Sequence, residues 1–178
     1  MVLREARDYV RMAYDVMVAT VDTREIGKTL AIPSEYWQRD WINDNTDLDV
    51  DRREDAEDCD GNQSGYDLCS TRGLRIQAKF RSSILHLENT RRNSKKNLGA
   101  ASTSGHVAYS LGECDVFCFT RPNGEYNTTD KWEILAIPAA ELEDPKNPGF
   151  IRRSIPKKIE KEWIGRAKEV LESLEARQ

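Results

Sequence analysis

Three polar side chains in the segment GYDLCSTRGLRIQAKF, residues 65–80, have the types and spacing of a hydrolytic site: Asp67, Gln77 and Lys79. Gln77 and Lys79 stand two residues apart, and only residues i and i+2 of a strand share a face. A carboxylate and an amide oxygen are hard donors suited to Mg²⁺. An ammonium beside them can hold or deprotonate an attacking water and offset the charge that develops on a phosphate. The chemistry that suits this set is metal-assisted phosphodiester hydrolysis. Asp67 and Gln77 would be the metal ligands, and Lys79 would position the water.

Such a set works only if a hairpin brings Asp67 opposite the other two. Residues 65–70 read as a strand, Thr71-Arg72-Gly73 as a tight turn, and residues 74–80 as a second strand with strict alternation. Leu74, Ile76, Ala78 and Phe80 would face a core; Arg75, Gln77, Lys79 and Arg81 would form a polar, cation-rich face. An amphipathic helix from Leu3 to about Val21 precedes the hairpin. Residues 33–43 read as a short helix or a docked loop, and residues 44–63 as an acidic surface excursion. Beyond the hairpin come a polar, basic stretch (82–105), β-rich runs at 106–109 and 115–120, a strand at 132–138 and the short segment 139–142. An edge strand at 150–151 and a helix from about Lys157 to Ala176 complete the chain. The expected architecture is one α/β domain spanning residues 1–178, with a central mixed sheet between the Leu3–Val21 helix and the C-terminal helix.

Asp67, the Gly-containing turn and Gln77-x-Lys79 resemble the D…(E/Q)-x-K core of the PD-(D/E)xK nucleases. That superfamily includes many restriction endonucleases, Holliday-junction resolvases and some intron homing endonucleases. The order of elements is also similar, and the resemblance covers roughly residues 1–20 and 64–142. Two positions depart from the pattern: Tyr66 stands where Pro is usual, and Gln77 where Glu is usual, which leaves the site one charge short. The resemblance implies a restriction-endonuclease-like core and a Mg²⁺-dependent endodeoxyribonuclease, with Mn²⁺ as a substitute, leaving a 5′-phosphate and a 3′-hydroxyl. It also implies a further metal-binding carboxylate from the first helix. Glu5 is the candidate, with Asp8, Asp15 and Glu25 as alternatives.

The net charge of −4 counts against a nucleic-acid partner only as an average. Residues 44–60 carry nine acids against Arg52 and Arg53, a net −7, so the remainder of the chain is +3. Residues 71–100 hold eight cations against Glu88, a net +7. Within that block Arg81, Ser83, Arg91, Arg92, Asn93, Lys95 and Lys96 are the expected DNA contacts, since Arg and Asn are common readers of guanine and adenine. Cutting both strands of double-stranded DNA with one site per chain implies a homodimer or higher homo-oligomer. Site-specific cleavage of the restriction or homing type is the leading expectation. A structure-specific resolvase or repair nuclease would use the same residues. The rival of another class is a non-catalytic binding module built on an acidic, calcium-binding loop. Asp47, Asp49, Asp51 and Asp58 have EF-hand spacing, although Arg52 stands where that loop needs Gly.

Composition sets the outer bounds. The chain of 178 residues is 38% hydrophobic and 33% charged, with a mean hydropathy of −0.72. It has no run of ~18 apolar residues. Arg4, Glu5, Arg7 and Asp8 interrupt any signal-peptide core, so a cytoplasmic protein without a membrane partner is expected. Cys59, Cys69, Cys114 and Cys118 offer no paired C-x2-C knuckles. Buried free thiols are expected, with Cys114 and Cys118 on one face of a strand. His86 and His106 lack a companion histidine at metal-ligand spacing.

Overall fold

A five-stranded mixed sheet is built from Val50–Arg52 (β1), Leu68–Ser70 (β2), Arg75–Phe80 (β3), Val116–Pro122 (β6) and Trp132–Pro138 (β7). Glu88–Asn89 (β4) and Val107–Ala108 (β5) pair separately as a two-stranded ribbon. The computed structural model describes residues 12–13, 15–20, 29–52, 65–80, 88–89, 107–123 and 128–178. The sheet order is β1-β2-β3-β6-β7, with β3 and β6 parallel and the other neighbours antiparallel. The hairpin expected from the sequence joins β2 and β3. Gly73 adopts φ +97° and donates its N–H to the Ser70 carbonyl at 2.9 Å. An antiparallel pair can be closed this tightly, whereas the parallel partner of β3 needs a long crossover. That crossover occupies residues 81–115, which contain β4 and β5.

Alternation along β3 sorts the core into two faces. Ile76 and Ala78 pack with Leu68, Val116, Cys118 and Ala136, under Ile42 and the side chains Ala167, Val170 and Leu171. Phe80 extends that face toward Trp37, Trp132 and Val18. The helices covering it are Ala31–Asn45 (α1) and Ala167–Glu175 (α3). The opposite face carries Phe117, Phe119, Leu135 and Ile137, covered by Tyr109, Cys114, Leu142, Ile151 and Ile155. Ile159 and Trp163 of Lys157–Trp163 (α2) pack against this second cluster. The face expected to be polar and solvated is therefore covered by aromatic and aliphatic side chains.

Several elements differ from the sequence reading. The segment 33–43 belongs to a full helix, α1, whose buried side includes Ser34, Gln38, Arg39 and Asp40. The acidic run is not wholly an excursion: Leu48 and Val50 are buried, and β1 pairs with β2. Arg39 binds Asp40 at 2.7 Å and Asp51 at 3.7 Å, while Arg52 binds Glu35 at 3.2 Å and the Tyr36 hydroxyl at 2.8 Å. Residues 53–64 lie outside those described. Residues 15–20 are helical, as expected; Val18 packs on the same side of the sheet as α3, while Ile159 of α2 packs on the other, so only the first part of the expected C-terminal helix lies across the sheet from it. The long C-terminal helix is two helices, because Gly165 takes φ +77° between α2 and α3. Residues 139–142 form a 3-10 turn. Phe150 and Ile151 make only isolated bridges, to Ser110 and Glu143.

Cys69, Cys114 and Cys118 are free and buried, as expected, and Cys59 lies outside the described residues. Cys114 and Cys118 fall on opposite faces, since Cys114 precedes β6 and follows the loop rather than the pleat. Among the described residues no helix is long and apolar enough to cross a membrane.

Candidate active site

The pairing of β2 with β3 positions the first two polar groups. The register sets Leu68 against Ile76, so the next pair outward is Asp67 and Gln77. The Asp67 N–H still reaches the Ile76 carbonyl at 2.9 Å. From there the side chain takes over the ladder, and Asp67 Oδ2 accepts the Ala78 N–H at 3.0 Å. The same oxygen accepts a hydrogen bond from Gln77 Nε2. A short carboxylate thus ends the strand pairing and is fixed by it. Gln77 is 4% exposed, among the most buried polar side chains described.

Lys79 lies one step further along the same face and is half-buried. Its Nζ donates a 2.6 Å hydrogen bond to the Tyr109 hydroxyl oxygen. Gln77 and Lys79 stand beside Phe117 and Phe119 in the parallel register. Tyr109 meets Phe117 edge-on, with ring centroids 5.2 Å apart.

The loop carrying Tyr109 is tied to the same strand. Arg75 grips Asp115 through Nε at 3.1 Å and Nη2 at 2.8 Å, and its Nη1 reaches the Gly112 carbonyl at 2.7 Å. The hydrogen bond to Asp115 raises the Arg75 pKa above its ordinary value, so this clamp stays charged. At Gly65, two residues before Asp67, Glu113 approaches so closely that an added Cβ would stand 2.5 Å from the Glu113 Cβ. Behind the sheet, Gln38 of α1 donates through Nε2 to the Lys79 carbonyl at 3.2 Å, the Cys118 carbonyl at 3.3 Å and Thr120 Oγ1 at 2.7 Å.

The structure therefore brings Asp67, Gln77 and Lys79 onto one face, in the order the hairpin implied. Asp15 is not part of that group: its Oδ1 accepts a hydrogen bond from Thr129 Oγ1 at 3.2 Å, beside the start of β7 and away from β2. Glu5, Asp8 and Glu25 lie outside the described residues, as do Arg81, Ser83, Arg91, Arg92, Asn93, Lys95 and Lys96. Among the described residues no three His, Cys, Asp or Glu side chains gather as a metal cluster. Of the EF-hand candidates, Asp47 and Asp49 are exposed, Asp51 sits in β1, and Asp58 lies outside the described residues. Sequence reasoning missed Tyr109, Glu113 and Gln38. Each reaches the site through a contact distant in the chain, and only the β3–β6 register could have pointed to the first two. Searches of protein families and of curated proteins find no match to this chain.

Proposed function

We propose that the chain is a Mg²⁺-dependent endonuclease that hydrolyses phosphodiester bonds of double-stranded DNA at specific sites, working as a homo-oligomer. The observation that carries this reading is the placement of Asp67, Gln77 and Lys79 on one face of the β2–β3 hairpin, with the Gln77 amide bonded to Asp67. The five-stranded mixed sheet, with a parallel strand beside β3, agrees with a restriction-endonuclease-like core.

The donor set fits a hard divalent cation. Asp67 supplies a half-buried carboxylate, and Gln77 supplies an amide whose half-turn exchanges N–H for oxygen toward Asp67. Two oxygen donors with one negative charge hold such an ion weakly, which is where a carboxylate from Glu5 would contribute. The ion, when bound, supplies Lewis-acid activation of the phosphate and its attacking water. The protein's own part follows from position. Asp67 is held rigid by the Ala78 N–H, and Lys79 brings a fixed ammonium to a site of developing negative charge. The DNA would be gripped by the basic segment Arg81–Lys96, whose phosphate contacts give affinity and whose Arg and Asn side chains read base edges.

Nicking of supercoiled plasmid in Mg²⁺ tests the proposal. Wild type is expected to cut and to stop on chelation. Lys79→Ala and Asp67→Ala are expected to lose about 10²–10⁴ in rate while still binding DNA. Equal cutting by Lys79→Ala, or no Mg²⁺-dependent cutting by wild type on any duplex tried, would sink the reading.

A further inference from the structure

Lysine side chains are long and freely rotating, so an ammonium that must act at one point needs a brace. Lys79 has one in Tyr109, and it comes from outside the hairpin. The Tyr109 hydroxyl oxygen accepts the Nζ–H at 2.6 Å, and Nζ stands 5.1 Å from the ring centroid. The ring is itself fixed. It is 3% exposed, it meets Phe117 edge-on, and its backbone carbonyl accepts the Ile151 N–H at 2.8 Å. Phe117 in turn lies directly beside Gln77 across the parallel pair β3–β6. One packed chain therefore runs from the Gln77 position through Phe117 to Tyr109 and back to Lys79.

We propose that Tyr109 is a positioning residue of the hydrolytic site, its hydroxyl holding Lys79 Nζ where the attacking water and the phosphate oxygens would meet it. The proposal rests on the nuclease reading. A purely structural tyrosine would serve through its ring, which a phenylalanine keeps; the assignment here is to the hydroxyl alone. The hydrogen bond uses one of the ammonium's three N–H groups and fixes the direction of the others.

Tyr109→Phe removes the oxygen and leaves the packing on Phe117 in place. Two measurements on the full chain decide the matter. The first is NMR of protein carrying ¹⁵N at the lysine Nζ, where the signal absent from Lys79→Ala identifies Lys79. The second is plasmid nicking in Mg²⁺, with thermal melting as a check on folding. The expected result is a moved Lys79 signal, and a kcat reduced by about 10²-fold with half-saturation by DNA nearly unchanged, since small misplacements of a reacting group cost about that much. An unmoved signal overturns the proposal, because the contact is then not held in solution. A moved signal with wild-type kcat overturns it too, and so does a low-melting variant that loses affinity and rate together. If wild type itself does not nick, the nuclease reading falls and takes the role of Tyr109 with it. That outcome differs from one in which wild type and Tyr109→Phe cut equally.

Discussion

Asp67 serves two purposes with one oxygen: Oδ2 closes the β2–β3 ladder on the Ala78 N–H and also meets the Gln77 amide. Its place was readable from the sequence because a two-residue period and a tight turn fix which side chains of a hairpin face each other. Gly65 shows a constraint that no local pattern announces. Its φ is +132°, and a Cβ there would collide with Glu113 at 2.5 Å. Gly65→Ala is therefore expected to destabilise the fold by about 2–5 kcal/mol, through backbone strain and overpacking together. Urea denaturation measures this; a variant within about 0.5 kcal/mol of wild type, the range of ordinary surface changes, would refute it. Tyr109 escaped sequence reading for a related reason. It lies 30 residues beyond Lys79, and only parallel pairing across a long crossover brings the two together.

Among the elements, α1 was the least legible. An amphipathic helix announces itself by an apolar stripe, but the buried side of α1 carries Ser34, Gln38, Arg39 and Asp40 beside Trp37 and Ile42. Its polar groups are buried because they have partners: Arg39 with Asp40, and Gln38 with the backs of β3 and β6. The C-terminal region misled in the opposite direction. Its apolar stripe runs on in sequence, yet Gly165 turns the chain, and Ile164 at the break is 51% exposed. The helix-to-sheet link through Gln38 is testable. Gln38→Leu keeps most of the volume but takes a donor from the Lys79 carbonyl, the Cys118 carbonyl and Thr120. The expected cost is about 1–3 kcal/mol, at the lower end because Gln38 Oε1 has no protein partner to lose. Gln38→Glu should be worse, since it sets a carboxylate against the same carbonyl oxygens. Chemical denaturation of the two variants gives the order, and a Leu variant less stable than the Glu variant would refute this account.

Across the whole molecule, the division of charge read from the sequence takes a different form in space. Among the described residues, part of each block is taken up in structural ion pairs: Asp51 meets Arg39, Arg52 meets Glu35, and Arg75 meets Asp115. The proposed grip on DNA therefore falls to Arg81–Lys96 rather than to the basic block as a whole. The same sheet that organises these pairs seals a thiol on each face, Cys114 on one and Cys118 on the other. Burial pushes both thiols far above their ordinary value of 9.0. For Cys114 the Asp115 carboxylate adds to the rise and Arg75 opposes it. A thiol that resists ionisation when folded but ionises freely when unfolded contributes its full stability below the unfolded pKa. That contribution is lost as pH rises beyond it. Each such group removes about 1.4 kcal/mol of stability per pH unit above roughly pH 9, and two remove about 3. Cys114→Ala with Cys118→Ala should therefore flatten the alkaline fall in stability relative to wild type, even though the double variant starts lower for want of two buried side chains. Urea midpoints at a series of alkaline pH values read out the difference between the two proteins, in which the shared tyrosines and lysines cancel. Parallel declines would mean that these thiols ionise in the folded state as readily as in the unfolded one, and that neither face of the sheet excludes water as its packing requires.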